Sequence, residues 1–199
     1  SITPYTLYKS ESLSPYFVDK TLMLRELFPY VSAGNRHICI TRPRRFGKTI
    51  MANMISSFFF FFSDSSDVFD SLAISQVDDY RRYKNQYNVI RIDFSKMPRN
   101  CDSYTQYIER IEVLLIEDVK ESGATISLIE DVKEAYPQVK INEADAVGDI
   151  LESVFVQCGE KFIFVLDEWD FIFHRDFINE IDKEKYVAFL SNLLKDRPY

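Results

Sequence analysis

Histidine and cysteine are scarce in this chain, at two and three residues. His37 and His174 lie in no metal-ligand spacing, and a structural role is expected for both. Cys39, Cys101 and Cys158 are far apart, so neither a disulfide framework nor a zinc site is indicated, and a reducing compartment is the default. No base can be assigned to a Ser or Cys nucleophile. Positive charge is also short: 24 Lys and Arg face 31 Asp and Glu, for a net charge of −7 and a pI of about 5.0. That balance argues against a broad nucleic-acid or anionic-membrane surface. The longest aromatic run, Phe58 to Phe62, is far too short to span a bilayer, and no basic-then-apolar leader opens the sequence. The expectation is a cytoplasmic protein without a membrane partner, whose sequence begins inside a longer product because it lacks an initiator Met.

What is present is core material. At 199 residues and 46% hydrophobic, the chain can bury a sizeable core and suits one domain with a small extension. Its organising stretch is Arg36 to Ile55. The β-branched run Ile38-Cys39-Ile40-Thr41 breaks at Pro43 and passes through a basic turn to Gly47-Lys48-Thr49. Ile50, Met51, Met54, Ile55 and Phe58 then recur at helical spacing. Strand, loop and helix in that order are the context of a phosphate-binding loop. A helix start offers unpaired N–H groups and the positive end of the macrodipole. Gly47 lets the main chain approach, Lys48 can reach β and γ oxygens, and the Thr49 hydroxyl can ligate Mg²⁺. The full pattern G-x-x-x-x-G-K-[ST] would put glycine at 42, where this chain has Arg42. Arg42, Arg44 and Arg45 can either help to hold phosphate or pair with the acidic surface.

Upstream, Ser1 to Pro15 reads as an extended lead-in. Asp19 or Thr21 is placed to cap a helix carrying Leu24, Leu27, Phe28 and Val31, stopped near Gly34. Phe17 beside it has two readings, stacking on a base or a staple against that helix. Downstream, the helix from Thr49 enters Phe58 to Phe62. Five successive aromatics cannot share one helix face, so packing on two sides is expected. Asn88 to Phe94 is a second strand, with Asp93 and Ser95 as second-rank candidates at its end or as a simple polar terminus. A helical block covers about residues 102–159: one helix opened by Ser103-x-x-Gln106 and closed by Ser122-Gly123, a shorter one from Ser127 to Pro137, and a third from Glu143, capped by Asn142 and stopped at Gly159. Residues 116–121 and 129–134 are the same word, Ile-Glu-Asp-Val-Lys-Glu, a small local duplication. A last helix is expected from about Lys185 to Lys195.

The second chemical centre is the apolar run Lys161 to Leu166, ending in Asp167-Glu168-Trp169-Asp170. A continuous apolar run is what a parallel strand buried on both faces looks like. In a P-loop protein an Asp at such a strand end holds Mg²⁺, generally through its water shell, and a following Glu orients and deprotonates the attacking water. Asp167 is then the magnesium residue with Thr49, and Glu168 the base, with Lys48 as its catalytic partner at the phosphates.

Together, Phe17-Val18-Asp19-Lys20-Thr21, the word Arg42-Pro43-Arg44-Arg45-Phe46-Gly47-Lys48-Thr49, Ile90-Arg91-Ile92-Asp93-Phe94-Ser95 and Asp167-Glu168-Trp169-Asp170 resemble the AAA-ATPase-like domain of bacterial proteins. Those proteins often carry a restriction-endonuclease-like nuclease domain further on. The family's own loop also lacks the first glycine, and Trp169 stands where it more often has Tyr. The resemblance implies an α/β fold of P-loop NTPase type, three layers αβα around a mainly parallel sheet. It implies ATP and Mg²⁺ as cofactors, a nucleotide cradle from Arg44, Arg45, Phe46, Gly47, Lys48, Thr49 and Ile50, and Phe17 and Val18 flanking the adenine. On that basis residues 1–35 are a lead-in and helix, and 36–199 the ATPase-like domain with the helical block inserted. The sensor strand, arginine finger and lid of such domains are not legible, so an incomplete N-terminal part of the core is expected, with a homo-oligomer or a downstream nuclease domain as partners.

Three classes of function remain. The first is an ATP hydrolase acting as a switch or motor. The second is a nucleotide-binding regulatory module without hydrolysis. The third is a nucleic-acid-handling scaffold that uses Arg42, Arg44 and Arg45, a reading that net charge does not favour.

Overall fold

The computed structural model describes residues 3–34, 37–41, 46–61, 63–96, 101–121, 138, 140, 147–159, 161–195 and 197–198, with the backbone alone at 113–121, 147 and 158. Two compact units share the chain. The first holds residues 1–90 and Phe162–Val165, the second Arg91–Lys161 and Leu166–Tyr199.

The first unit opens with helix α1, Pro4–Ser12, where an extended lead-in was expected. Thr3 and Thr6 cap each other's backbone N–H groups, and Pro4 sits at the first helical position, where its missing N–H costs nothing. Helix α2, Met23–Ala33, follows the expected periodicity, burying Leu24, Leu27 and Phe28 and ending at Gly34 with φ 64°. Its start differs from expectation, because Leu22 is the cap residue and no side chain caps it. Asp19 and Thr21 are engaged elsewhere. Asp19 Oδ1 accepts from the Thr21 N–H and hydroxyl at 2.8 and 2.7 Å, and Oδ2 accepts from the Ala73 N–H at 2.8 Å. Thr21 Oγ1 accepts in turn from the Ile74 N–H at 3.1 Å. The two residues thus tie the entry to α2 onto the 3₁₀ turn Ala73–Gln76.

Helix α3, Lys48–Phe59, is enclosed: residues Met51–Phe59 are all buried, with α1 packed along it. Its last residues enter an aromatic cluster. Phe58 stacks on Phe28 at 6.0 Å and meets Phe69 edge-on at 5.2 Å, while Phe59 meets Tyr87 at 5.7 Å. Two-sided packing therefore holds for Phe58 and Phe59, whereas Phe61 is exposed and Phe62 lies outside the described residues. The end of α3 is closed by Asn85, in the left-handed region at φ 55°. Its side-chain amide donates to the Ser57, Phe60 and Ser63 carbonyls and its N–H to the Phe58 carbonyl. Helices α4, Ser66–Phe69, and α5, Tyr80–Tyr83, add Phe69, Tyr80 and Tyr83 to the core.

The expected P-loop strand does not form. Residues 37–41 have no regular secondary structure, and Ile38 and Ile40 are exposed. β-Branched residues favour extended backbone, but a strand exists only where a neighbour completes its ladder. Among the described residues the sheet has two parallel strands, β1, Asn88–Asp93, and β2, Phe162–Asp167. The chain is thus α/β. β2 is also less enclosed than its apolar run suggests, since only Val165 and Asp167 are buried.

The second unit contains helix α6, Tyr104–Glu121, helix α7, Val147–Cys158, and helix α8, Glu180–Leu194. At α6 the Ser103 hydroxyl accepts from the Gln106 N–H as expected, but the Gln106 side chain reaches the Asp102 N–H. α7 buries Ile150, Leu151 and Val154 and ends at Gly159, φ 75°. α8 starts five residues earlier than expected, because Asn179 and Asp182 form a reciprocal cap. The expected helix from Ser127 to Pro137, the Ser122-Gly123 stop, the Asn142 cap and the second copy of the duplicated word lie outside the described residues.

Burial raises the Asp19 carboxyl, but hydrogen bonds from Ala73 and Thr21 outweigh it and hold the group below its ordinary value. A depressed carboxyl stabilises the fold above its unfolded value of about 3.9, and that stability is lost as pH falls through the folded value. Asp19→Asn is therefore expected to cost about 1 kcal/mol at neutral pH, a modest figure because the group is exposed. In urea unfolding against pH, the gap between the two proteins should close below about pH 4; a constant gap would contradict the assignment.

Candidate nucleotide site

In the first unit, Gly47 is the cap residue of α3 and adopts the left-handed conformation, φ 76° and ψ 27°, with no side-chain cap on the helix. A glycine brings no side chain to cap this 12-residue helix, and a helix start attracts an anion through its N–H groups and macrodipole. Glycine is needed here for its backbone: an added Cβ would meet only Ile50 Cδ1, at 4.0 Å. Lys48 is half-buried and Thr49 exposed on the first turn, with Phe46 and Ile50 also exposed. Arg42, Arg44 and Arg45 lie outside the described residues. Phe17 is half-buried and meets the α1 ring of Tyr8 edge-on at 6.2 Å, so its aromatic partner is on α1 and not on the helix that follows it. Val18 is exposed.

In the second unit, Asp167 ends β2 with only 6% exposure, and its carbonyl accepts from the Phe94 N–H at 3.0 Å. Arg91 of β1 places Nη2 3.2 Å from Asp167 Oδ2. Glu168 then sits at φ 52°, a conformation that costs a bulky residue free energy and that the surroundings must enforce. They do so through the turn that follows. The Phe171 N–H donates to the Glu168 carbonyl at 2.9 Å, and the Tyr186 hydroxyl to the Trp169 carbonyl at 2.6 Å. Tyr186 is completely buried among Phe94, Tyr107 and Phe173, at 6.0, 6.0 and 5.7 Å. Burial foremost, then Tyr107 and Asp170, pushes its hydroxyl far above its ordinary value, so it is a proton donor at any physiological pH. Asp93 and Ser95 are brought together, but in a local turn: Asp93 Oδ1 accepts from the Ser95 N–H and hydroxyl at 3.0 and 2.6 Å.

Reading residue types along the chain missed Arg91 and Tyr186 as parts of this arrangement. An arginine between Ile90 and Ile92 in a strand was a signal that a buried acid should be sought. Tyr186 carried none, because a tyrosine on a helix is ordinary core material. The Asp167 carboxylate of this unit, like the Thr49 hydroxyl of the first, is the kind of hard oxygen donor that Mg²⁺ takes. Asp167 Oδ2 is engaged by Arg91, but a carboxylate has about four lone-pair sites, so the residue also fits a hydrated cation.

A family model described as "Predicted AAA-ATPase" matches residues 6–196. The chain belongs to the AAA-ATPase-like family. The match takes in Gly47-Lys48-Thr49, Asp167-Glu168 and both units, and nucleotide binding is the function expected at the level of this AAA-ATPase-like family. No curated protein and no solved structure matches the chain. Among the described residues no helix is long and apolar enough to cross a membrane.

The left-handed conformation at 47 predicts that Gly47→Ala destabilises the chain by about 1–2 kcal/mol through backbone strain alone. Urea unfolding should show a lower midpoint at unchanged slope, and an unchanged midpoint would mean that residue 47 is not left-handed.

Proposed function

We propose that this chain binds ATP at the start of α3 and hydrolyses it with Mg²⁺, serving as the switch or motor of a larger cytoplasmic protein. The observation that carries the reading is the left-handed Gly47 at the start of α3, with Lys48 and Thr49 on its first turn. Membership of the AAA-ATPase-like family supports it. In this reading the first-turn N–H groups and Lys48 would bind the phosphates, Thr49 and Asp167 would hold the hydrated Mg²⁺, and Glu168 would orient the attacking water and take its proton. When bound, Mg²⁺ would supply charge neutralisation at the phosphates while water bonds to the γ-phosphorus and its bond to the departing ADP oxygen breaks. The Glu168 backbone strain supports a role in chemistry, because such strain is retained where a side chain must be aimed. A nucleotide-binding module without fast turnover is the second reading, favoured by the guanidinium already seated on Asp167.

Calorimetric titration with ATP and Mg²⁺ should give specific binding that Lys48→Ala loses; equal affinity in the variant would defeat the proposal. Glu168→Gln should keep that binding and slow phosphate release at least about a hundredfold, the lower range for removal of a general base. An unchanged rate would take Glu168 out of the chemistry, and binding without turnover in the native chain would select the second reading.

A further inference from the structure

Arg91 is an unusual resident of β1. Its neighbours Ile90 and Ile92 are 2% and 0% exposed, and Arg91 itself keeps only 10% of its side chain in water. A guanidinium withdrawn from water to that degree needs a carboxylate, and the one it meets is Asp167, 6% exposed, 3.2 Å away on β2. The pairing is partial. A guanidinium that serves only to neutralise an acid commonly presents two parallel donors, whereas here Nη2 makes the contact and the buried Nε–H has no acceptor among the described residues. The pair thus leaves a buried donor unsatisfied, an arrangement that costs stability and is not the best a structural ion pair could reach.

We propose that Arg91 is a resident counter-cation that weakens divalent-metal binding at Asp167, so that loading of the metal requires the guanidinium to give way. This rests on the reading of Asp167 as the magnesium residue. Arg91 acts through Asp167 and is a positioning residue: it holds Oδ2 in place and competes for the same negative charge. Two cations on one carboxylate repel, and in a site largely closed to water that repulsion is poorly screened. The result is a chain that does not capture free metal at Asp167 and accepts it when nucleotide phosphates add their own charge.

The test uses Mn²⁺ as a paramagnetic probe, titrated alone and then with ADP, against the native chain, Arg91→Met, Arg91→Lys and Arg91→Met with Asp167→Asn. Arg91→Met is expected to tighten Mn²⁺ at least about tenfold, both alone and with ADP, by removal of the competing charge. Arg91→Lys keeps that charge and should stay within about threefold of native. The added Asp167→Asn should abolish the gain. Unchanged or weaker Mn²⁺ binding in Arg91→Met overturns the proposal and makes the pair structural, as does a gain that survives Asp167→Asn. Circular dichroism checks folding, and Arg91→Gln is read in the same way if Arg91→Met does not fold. ADP binding without metal, compared in native chain and Lys48→Ala, reports separately on the nucleotide reading: its failure there leaves the arm with Mn²⁺ alone to decide the role of Arg91.

Discussion

The first unit depends on the burial of the α3 C-terminal half in an aromatic cluster. Phe58 and Phe59 adjoin on the helix yet must face apart, at an interplanar angle of 88°, so the helix has to be covered on more than one side. Phe28, Phe69, Tyr80, Tyr83 and Tyr87 supply that cover. Aromatic rings bring the largest apolar area per residue and lock by edge and face geometry. Fixing the far end of a rigid helix also fixes its start, which is where Gly47, Lys48 and Thr49 stand. Asn85 completes the arrangement by taking the carbonyls that the end of α3 cannot satisfy within the helix.

A similar division of labour runs through the second unit. Tyr186, Tyr107, Phe94 and Phe173 form an aromatic cluster, and from it the Tyr186 hydroxyl holds the carbonyl just beyond Glu168. The acidic turn is thereby kept in a conformation that its own residues would not choose. Asp167 is kept still by a different force, the charge of Arg91. The candidate site residues are in each case positioned by groups outside the proposed chemistry.

Local words were the most legible part of this chain. Gly47-Lys48-Thr49 and Asp167-Glu168 announce themselves because their residue types need each other at fixed short spacing, and the family match extends over both. The caps Thr3 with Thr6 and Asn179 with Asp182 were equally local, and overlooking them shortened α8 and turned α1 into a lead-in. Ile38 to Thr41 misled for the opposite reason: its composition suits a strand, but pairing belongs to a neighbour that no window of sequence contains. Asp19 and Thr21 misled likewise, since cap residues bind whichever N–H groups are nearest in space, here those of Ala73 and Ile74.

The sequence by itself determined the course of α2, α3, α6 and α7, the glycines that end α2 and α7, and which residue types suit phosphate and metal, because periodicity, capping and side-chain type act within a few residues. Only the tertiary structure decided that Arg91 lies on Asp167 across 76 residues of chain, that Tyr186 secures the turn after Glu168, and that β1 pairs with β2. Those outcomes arise from burial, which makes an enclosed charge or donor costly without a partner and so favours whichever one the packed chain brings within reach.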